Sequence, residues 1–267
     1  MAHATVVFRE LRDLLRLDMM ILYSKGLRGM AESLKVSRKP DGNPEIFCSV
    51  QGEGIHMGKP AIFLRLVLCN LACTWCDTKY TWDWANYNKK DQILEMGVEE
   101  IEREVLRHTP KFLVLTGGEP MIQQNQLIPL LERLKDRAFF IEVETNGTID
   151  PSEKMVNLID HWSISPKLNN SGNPLSSREI PDCYQFFAGL PSSHFKFVVQ
   201  NENDFDEIQS LMSKYHLTPD RIILMPKAQS RADLIKRSGW VVELCKRTGC
   251  MFSTRLQILL WGNQRGV

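Results

Sequence analysis

Residues 61–76 read AIFLRLVLCNLACTWC. The first eight form the β-branched, aromatic and aliphatic run of a buried strand. The next eight carry three of the chain's seven cysteines at the spacing Cys69-x3-Cys73-x2-Cys76. A strand therefore hands three thiols to the loop at its carboxyl end. Working outward, similar apolar runs recur at 111–116 (KFLVLT), 138–144 (AFFIEVE), 161–165 (HWSIS), 194–199 (HFKFVV) and 221–225 (RIILM). Helical patterns lie between them at 98–108, 124–136, 151–159, 203–215 and 230–247. This alternation predicts an α/β fold with a parallel sheet and helices packed outside it. Six such strands fall short of a closed eight-stranded barrel, so an open, partial β/α barrel is predicted. Polar residues gather just after the strands: Cys69, then Gly117-Gly118-Glu119-Pro120, Thr145-Asn146-Gly147 and Ser165-Pro166-Lys167. Loops at the carboxyl ends of parallel strands share one face, where ligands bind, so these motifs should converge on one mouth.

The 267 residues are 43% hydrophobic, enough for one catalytic domain, placed at 45–267. Residues 1–44 read as an N-terminal helical extension and linker. Val7, Leu11, Leu14, Leu15 and Met19 recur at helical spacing, and SRKPDGNP (37–44) is turn-rich. A mitochondrial presequence is opposed by Glu10, Asp13 and Asp18, and a start at Met30 is a third reading. The balance of 33 Lys+Arg against 32 Asp+Glu excludes a protein built chiefly to hold a nucleic-acid backbone. No run of 18 apolar residues exists to span a membrane. An odd cysteine count argues against a disulfide framework and for reduced thiols in a cytoplasmic compartment.

Soft thiolate ligands select zinc or an iron–sulfur cluster. A closed structural zinc wants four ligands, and His56 or Asp77 are candidates for the fourth. A cluster on three thiolates leaves one iron open. Arg65 stands in an apolar strand, where an unpaired guanidinium is costly, so it requires a buried anionic partner. A ligand carboxylate suits its bidentate fork, and Glu142 or Glu144 are the internal alternatives. Gly117 and Gly118 either let the backbone approach a ligand or make a tight turn. Trp75, Trp82 and Trp84 crowd the cysteine loop, where they stack on a ligand, shield it or simply pack. Cys48, Cys183, Cys245 and Cys250 read as small buried residues without a role.

The cysteine spacing resembles the radical S-adenosylmethionine superfamily, and its flanks narrow the match. EIFCSVQGEG (45–54), GKPAIFLRL (58–66), CNLACTWCDTKYTWD (69–83), TGGEP (116–120), ETNGT (144–148), SPK (165–167) and LLWGNQRGV (259–267) resemble the 7-carboxy-7-deazaguanine synthase family. The resemblance implies a ring contraction that turns 6-carboxy-5,6,7,8-tetrahydropterin into 7-carboxy-7-deazaguanine with loss of ammonia, on the route to queuosine and related 7-deazapurines. It implies a [4Fe–4S] cluster on Cys69, Cys73 and Cys76, S-adenosylmethionine on the open iron, and Mg²⁺ beside Thr78. The cofactor would meet Trp75, Asp77, Gly117, Gly118, Glu119, Asn146, Ser165, Pro166 and Lys167. The pterin would meet Val50, Gln51, Gly52, Glu53, Arg65, Thr116 and, where the tail folds back, Val267. Glu144 would hold the substrate or move a proton, with a structural pairing to Arg65 or Lys167 as its alternative. A flavodoxin- or ferredoxin-type electron donor and a homodimer are also implied. One departure stands out: the family often has His four residues before Trp261, and here Gln257 stands there. Gln cannot shuttle a proton near neutral pH. Two other readings are a glycyl-radical-type activase, which usually carries extra cysteine clusters, and a zinc- or cluster-stabilised binding module without catalysis.

Overall fold

The computed structural model describes residues 33–267, so the helix expected over residues 7–19 lies outside the described part. Ten strands form one sheet among the described residues: β1 (Leu34–Ser37), β2 (Ile46–Val50), β3 (Pro60–Leu66), β4 (Ile93–Met96), β5 (Phe112–Gly117), β6 (Phe140–Thr145), β7 (His161–Ile164), β8 (Ser193–Val199), β9 (Ile222–Pro226) and β10 (Met251–Phe252). Their order is β10-β9-β8-β7-β6-β5-β3-β1-β4, with β2 added to the amino-terminal part of β3. Every pairing from β3 to β10 is parallel, while β1, β2 and β4 pair antiparallel. The two end strands, β4 and β10, do not pair, so the sheet is an open, partial barrel.

All six strands read from sequence are present within two residues of their expected starts. The helices of six or more residues are α1 (Val98–Leu106), α2 (Gln124–Lys135), α3 (Glu153–Leu158), α5 (Asp204–Tyr215) and α6 (Arg231–Thr248), at the expected places, and α4 (Pro181–Gly189) and α7 (Leu256–Trp261), which had not been expected. The boundary expected at residue 45 meets a contrary observation. Leu34–Ser37 is a strand of the sheet, with Val36 opposite Leu66 and Leu34 opposite Met96. Only the tight turn at 39–43, closed by Gly42 N donating to Lys39 O at 2.9 Å, is loop of the expected kind.

Strand alternation sends one set of side chains outward and the other into the barrel. Ile62, Leu64, Leu66, Leu113, Leu115, Ile141, Val143, Phe195 and Phe197 face the helices and are fully buried with Leu127, Leu130, Leu131 and Leu134 of α2. Each such side chain contributes on the order of 1.5–3 kcal/mol through burial. The opposite face carries Arg65, Thr116, Glu142, Glu144, His161 and Lys196. Arg65 lies opposite Thr116, Glu142 opposite His161, and Glu144 opposite Ser163. Polar groups therefore stack inside the barrel while the apolar set seals its outside.

Candidate active site

The carboxyl ends of β3, β5, β6, β7, β8 and β9 open on one cavity of about 500 Å³. Cys69, Cys73 and Cys76 line it. Their loop is held from outside: Thr74 N donates to Ser171 O at 3.0 Å, and Ala72 N to Asn173 Oδ1 at 2.9 Å. Two sulfurs receive N–H donors, Cys73 from Asn173 Nδ2 at 3.2 Å and Cys76 from Trp82 Nε1 at 3.3 Å. Burial pushes the Cys69 thiol up to about 12 and raises that of Cys73 as well, so metal binding there displaces protons.

The two glycines beside this loop have a use the sequence did not show. A Cβ on Gly117, at φ +133°, would sit 2.0 Å from Leu66 O, and one on Gly118 would sit 2.0 Å from Leu68 O. Gly118 N and Glu119 N donate to those two carbonyls at 3.0 and 2.7 Å. The glycines thus seat the exit of β5 directly on the exit of β3, where the cysteine loop begins, and both also line the cavity.

Three charged groups set the field inside. Glu45 is fully buried and binds Arg65 Nε at 2.8 Å and Arg265 Nε at 2.9 Å, with Tyr80 donating from its hydroxyl at 3.2 Å. Arg265 also stacks its guanidinium 3.6 Å above the Tyr80 ring and donates to Ser37 Oγ, which ties the carboxyl-terminal tail to β1. Glu53 pairs with Lys196 and with Arg255 Nε at 3.0 Å, and Arg255 reaches on to Asp77. Deeper, Gln51 donates from Nε2 to Glu142 Oε1 at 2.6 Å and to Glu144 Oε1 at 3.3 Å, while Thr116 Oγ1 donates to Glu144 Oε2 at 2.7 Å.

These pairings predict how stability responds to acid. Burial by itself would raise the Glu45 carboxyl, but Arg65 and Arg265 outweigh it and hold it below the usual carboxylate range. Lys196 and Arg255 likewise overcome burial at Glu53. His161 and His56 overcome it at Glu142, bringing that carboxyl to about 2. The unfolded chain therefore takes up protons first; stability is full above the ordinary 4.5 and is lost as pH falls through the folded values. His194 is pushed from 6.5 down to about 4, by burial and then by its neighbour His161. The unfolded imidazole protonates first, so an earlier loss begins below 6.5. Urea midpoints measured across pH should be flat above that value, decline gently, then fall steeply in the carboxylate range. His194→Gln should erase the gentle phase only.

The radical SAM superfamily model matches residues 65–166. A 7-carboxy-7-deazaguanine synthase of Pyrobaculum aerophilum is 37% identical over 225 residues, covering 83% of this chain and 95% of the relative. The chain belongs to the 7-carboxy-7-deazaguanine synthase family. Another synthase, from Rhodopirellula baltica, is 30% identical over 83% of this chain and 87% of its own length. The crystal structure of QueE from Escherichia coli matches with a TM-score of 0.61 at 25% identity, covering 84% of this chain and 94% of that one.

Of the residues that the resemblance to this synthase family singled out, Val50, Gln51, Gly52, Glu53, Arg65, Trp75, Asp77, Thr78, Thr116, Glu144, Asn146, Ser165, Lys167 and Val267 all line the cavity. Glu119 does not. It is fully buried beneath the wall, accepting from Met121 N at 3.0 Å, Thr145 Oγ1 at 2.7 Å and Asn146 N at 2.7 Å. It ties the β5 and β6 loops together from beneath the cavity wall. Pro166 is buried as well. Arg65 finds its anionic partner in Glu45, not in Glu142 or Glu144. Asp77 and His56, the two candidates for a fourth zinc ligand, are held by Arg255 and Glu142. Cys48 is exposed on β2, against its expected burial. Lys196, Glu45 and Arg255 were not singled out, although Lys196 stands in an apolar strand exactly as Arg65 does in β3.

Proposed function

We propose that this chain converts 6-carboxy-5,6,7,8-tetrahydropterin to 7-carboxy-7-deazaguanine with loss of ammonia, as a radical S-adenosylmethionine lyase. The observation that carries this reading is the meeting, in one cavity, of the three-cysteine loop with the Gln51–Glu144–Thr116 set. The cysteines fit a cluster with one open iron, because the acid and imidazole that could close a zinc site are engaged elsewhere. Bound there, the cluster and S-adenosylmethionine would supply the radical chemistry of the reaction.

The chain's own residues bind, orient and exclude water. Asn173 and Trp82 direct N–H dipoles at two sulfurs, which tunes the potential of whatever they ligate. Asn146, Ser165 and Lys167 sit on the β6 and β7 side of the cysteines, where a cofactor carboxylate and hydroxyls would lie. Lys167 Nζ donates to Ser165 O and Oγ at 2.6 and 2.7 Å, so its charge is already aimed along that wall. Arg65, with only Nε committed to Glu45 among the described residues, offers its outer nitrogens to the pterin carboxylate. Glu144 Oε1, half-open to the cavity, is the group placed to hold or move a proton at the substrate. Thr78 Oγ1 lies 3.5 Å from Cys76 Sγ and gives one hard oxygen, leaving the rest of a Mg²⁺ shell to substrate and water. The tail, pinned by Arg265, lines the cavity with residues 262–267. Among the described residues no helix is long and apolar enough to cross a membrane. The family likeness supports a homodimer, a flavodoxin- or ferredoxin-type donor and a cytoplasmic place in queuosine biosynthesis.

The test is incubation of reduced, cluster-reconstituted protein with the tetrahydropterin, S-adenosylmethionine and Mg²⁺. Formation of 7-carboxy-7-deazaguanine is expected, and its absence under conditions that still yield 5′-deoxyadenosine would refute the substrate assignment.

A further inference from the structure

The floor of the barrel, at the opposite end from the cysteines, gathers three of the chain's six histidines around one carboxylate. His56 Nδ1 and His161 Nδ1 both approach Glu142 Oε2, at 2.5 and 2.8 Å. These three atoms all lie within 4.8 Å of one another. The side chains are 11%, 6% and 2% exposed for His56, His161 and Glu142, so the group is closed to bulk water except at the His56 edge. Each member comes from a different element: the 3₁₀ turn after β2, the start of β7, and β6.

Two imidazole nitrogens and one carboxylate oxygen at this spacing form a donor set that suits zinc. Mg²⁺ and Ca²⁺ favour all-oxygen shells, and the cysteines that suit an iron–sulfur cluster lie at the other mouth. The surroundings are those of a metal site too. His161 Nε2 meets His194 Nδ1 at 3.0 Å, which fixes the ring and leaves Nδ1 for the ligand position. Glu142 Oε1 is held by Gln51 Nε2, which turns Oε2 toward the two imidazole nitrogens, where an ion between them would replace the shared protons. Phe112 and Phe140 meet the His56 ring in T-shaped contacts, with ring centroids 5.4 and 5.2 Å from its own, and wall the group with apolar surface.

We propose that His56, Glu142 and His161 bind one zinc ion at the amino-terminal end of the barrel, with water in the fourth position. The ion closes the barrel floor and, through Glu142, fixes Gln51 at the substrate cavity above. The proposal does not depend on the reaction assigned to that cavity.

The experiment uses full-length, cluster-reconstituted protein, in which iron occupies the cysteines. The protein is incubated with zinc sulfate, desalted, and assayed for zinc and iron, and zinc K-edge absorption is recorded. About one zinc per chain is expected, with nitrogen and oxygen neighbours only. Competition with a chelator should show His56→Ala weakening zinc binding by at least about 100-fold at unchanged iron content. His194→Ala, which removes only the outer hydrogen bond, should weaken it by about 10–100-fold. His56 sits on a three-residue turn at the barrel rim, so unchanged iron and far-UV circular dichroism establish that this variant folds. Wild-type protein that retains no zinc, sulfur in the zinc shell, or His56→Ala binding zinc as tightly as wild type each overturns the assignment.

Discussion

Replacing Cys73 with alanine is expected to reduce bound iron to background and to stop 5′-deoxyadenosine formation altogether. Of the three cavity cysteines Cys73 is the most enclosed, 6% exposed, and its sulfur is the one that Asn173 reaches. Three thiolates are the whole protein contribution to a cluster that keeps one iron for the cofactor, so loss of one leaves two anchors for four irons. Nearby side chains supply no substitute: Asp77 is bound to Arg255, and Thr78 offers a hydroxyl that does not favour iron. The change removes one sulfur from a loop otherwise held by Ser171 and Asn173 through its backbone, so the fold should survive. Cys48→Ala is the matched control. That thiol is exposed on β2 away from the cavity, and its loss should leave iron content and deoxyadenosine yield unchanged. Iron or deoxyadenosine surviving in Cys73→Ala would show that the three-thiolate assignment is wrong.

The sequence made some of this legible because local signals suffice for it. Strand–helix alternation predicted the six parallel strands, since each buried strand is a continuous apolar run. The cysteine spacing placed the three-cysteine loop at a strand end without any tertiary information. What stayed hidden depends on contacts between distant segments. The strands β1 and β4 are four residues each and pair antiparallel at the sheet's edge, a pairing that no local pattern reveals. Glu45 meets Arg65 twenty residues on and Arg265 from the tail, so no local pattern names it as Arg65's partner ahead of a ligand carboxylate or of Glu142 and Glu144 on β6. Gly117 and Gly118 looked like turn or ligand glycines, yet the atoms that demand them are the carbonyls of Leu66 and Leu68. Lys196 is the one miss that a local signal could have prevented: an ammonium between Phe195 and Phe197 needs a buried partner by the same argument that flagged Arg65.

That partner is Glu53, and Glu53→Ala is expected to destabilise the fold by about 3–5 kcal/mol, the range for breaking a buried ion pair from one side. Lys196 is 4% exposed and Arg255 is anchored between Glu53 and Asp77, so neither can turn out to water without unmaking its surroundings. The carboxylate 3.9 Å away on Glu144 is too distant to replace the lost contact, and drawing Lys196 toward it would disturb the Gln51 and Thr116 hydrogen bonds that Glu144 accepts. Gln257 would also lose its acceptor at 2.8 Å, and its Oε1 is already buried without a hydrogen-bond partner among the described residues. At roughly 2–4 °C per kcal/mol for a domain of this size, the expected fall in Tm is about 10 °C. The Arg247–Glu202 pair gives the contrast: both side chains are 61% exposed, and Glu202→Ala should change stability by less than about 1 kcal/mol. Because the cost lies mainly in the stranded ammonium, Glu53→Ala combined with Lys196→Met should recover much of the loss. A coupling energy above about 1 kcal/mol in that double-mutant cycle is expected. Strict additivity would mean that the Glu53–Lys196 contact does not carry the stability of the barrel interior.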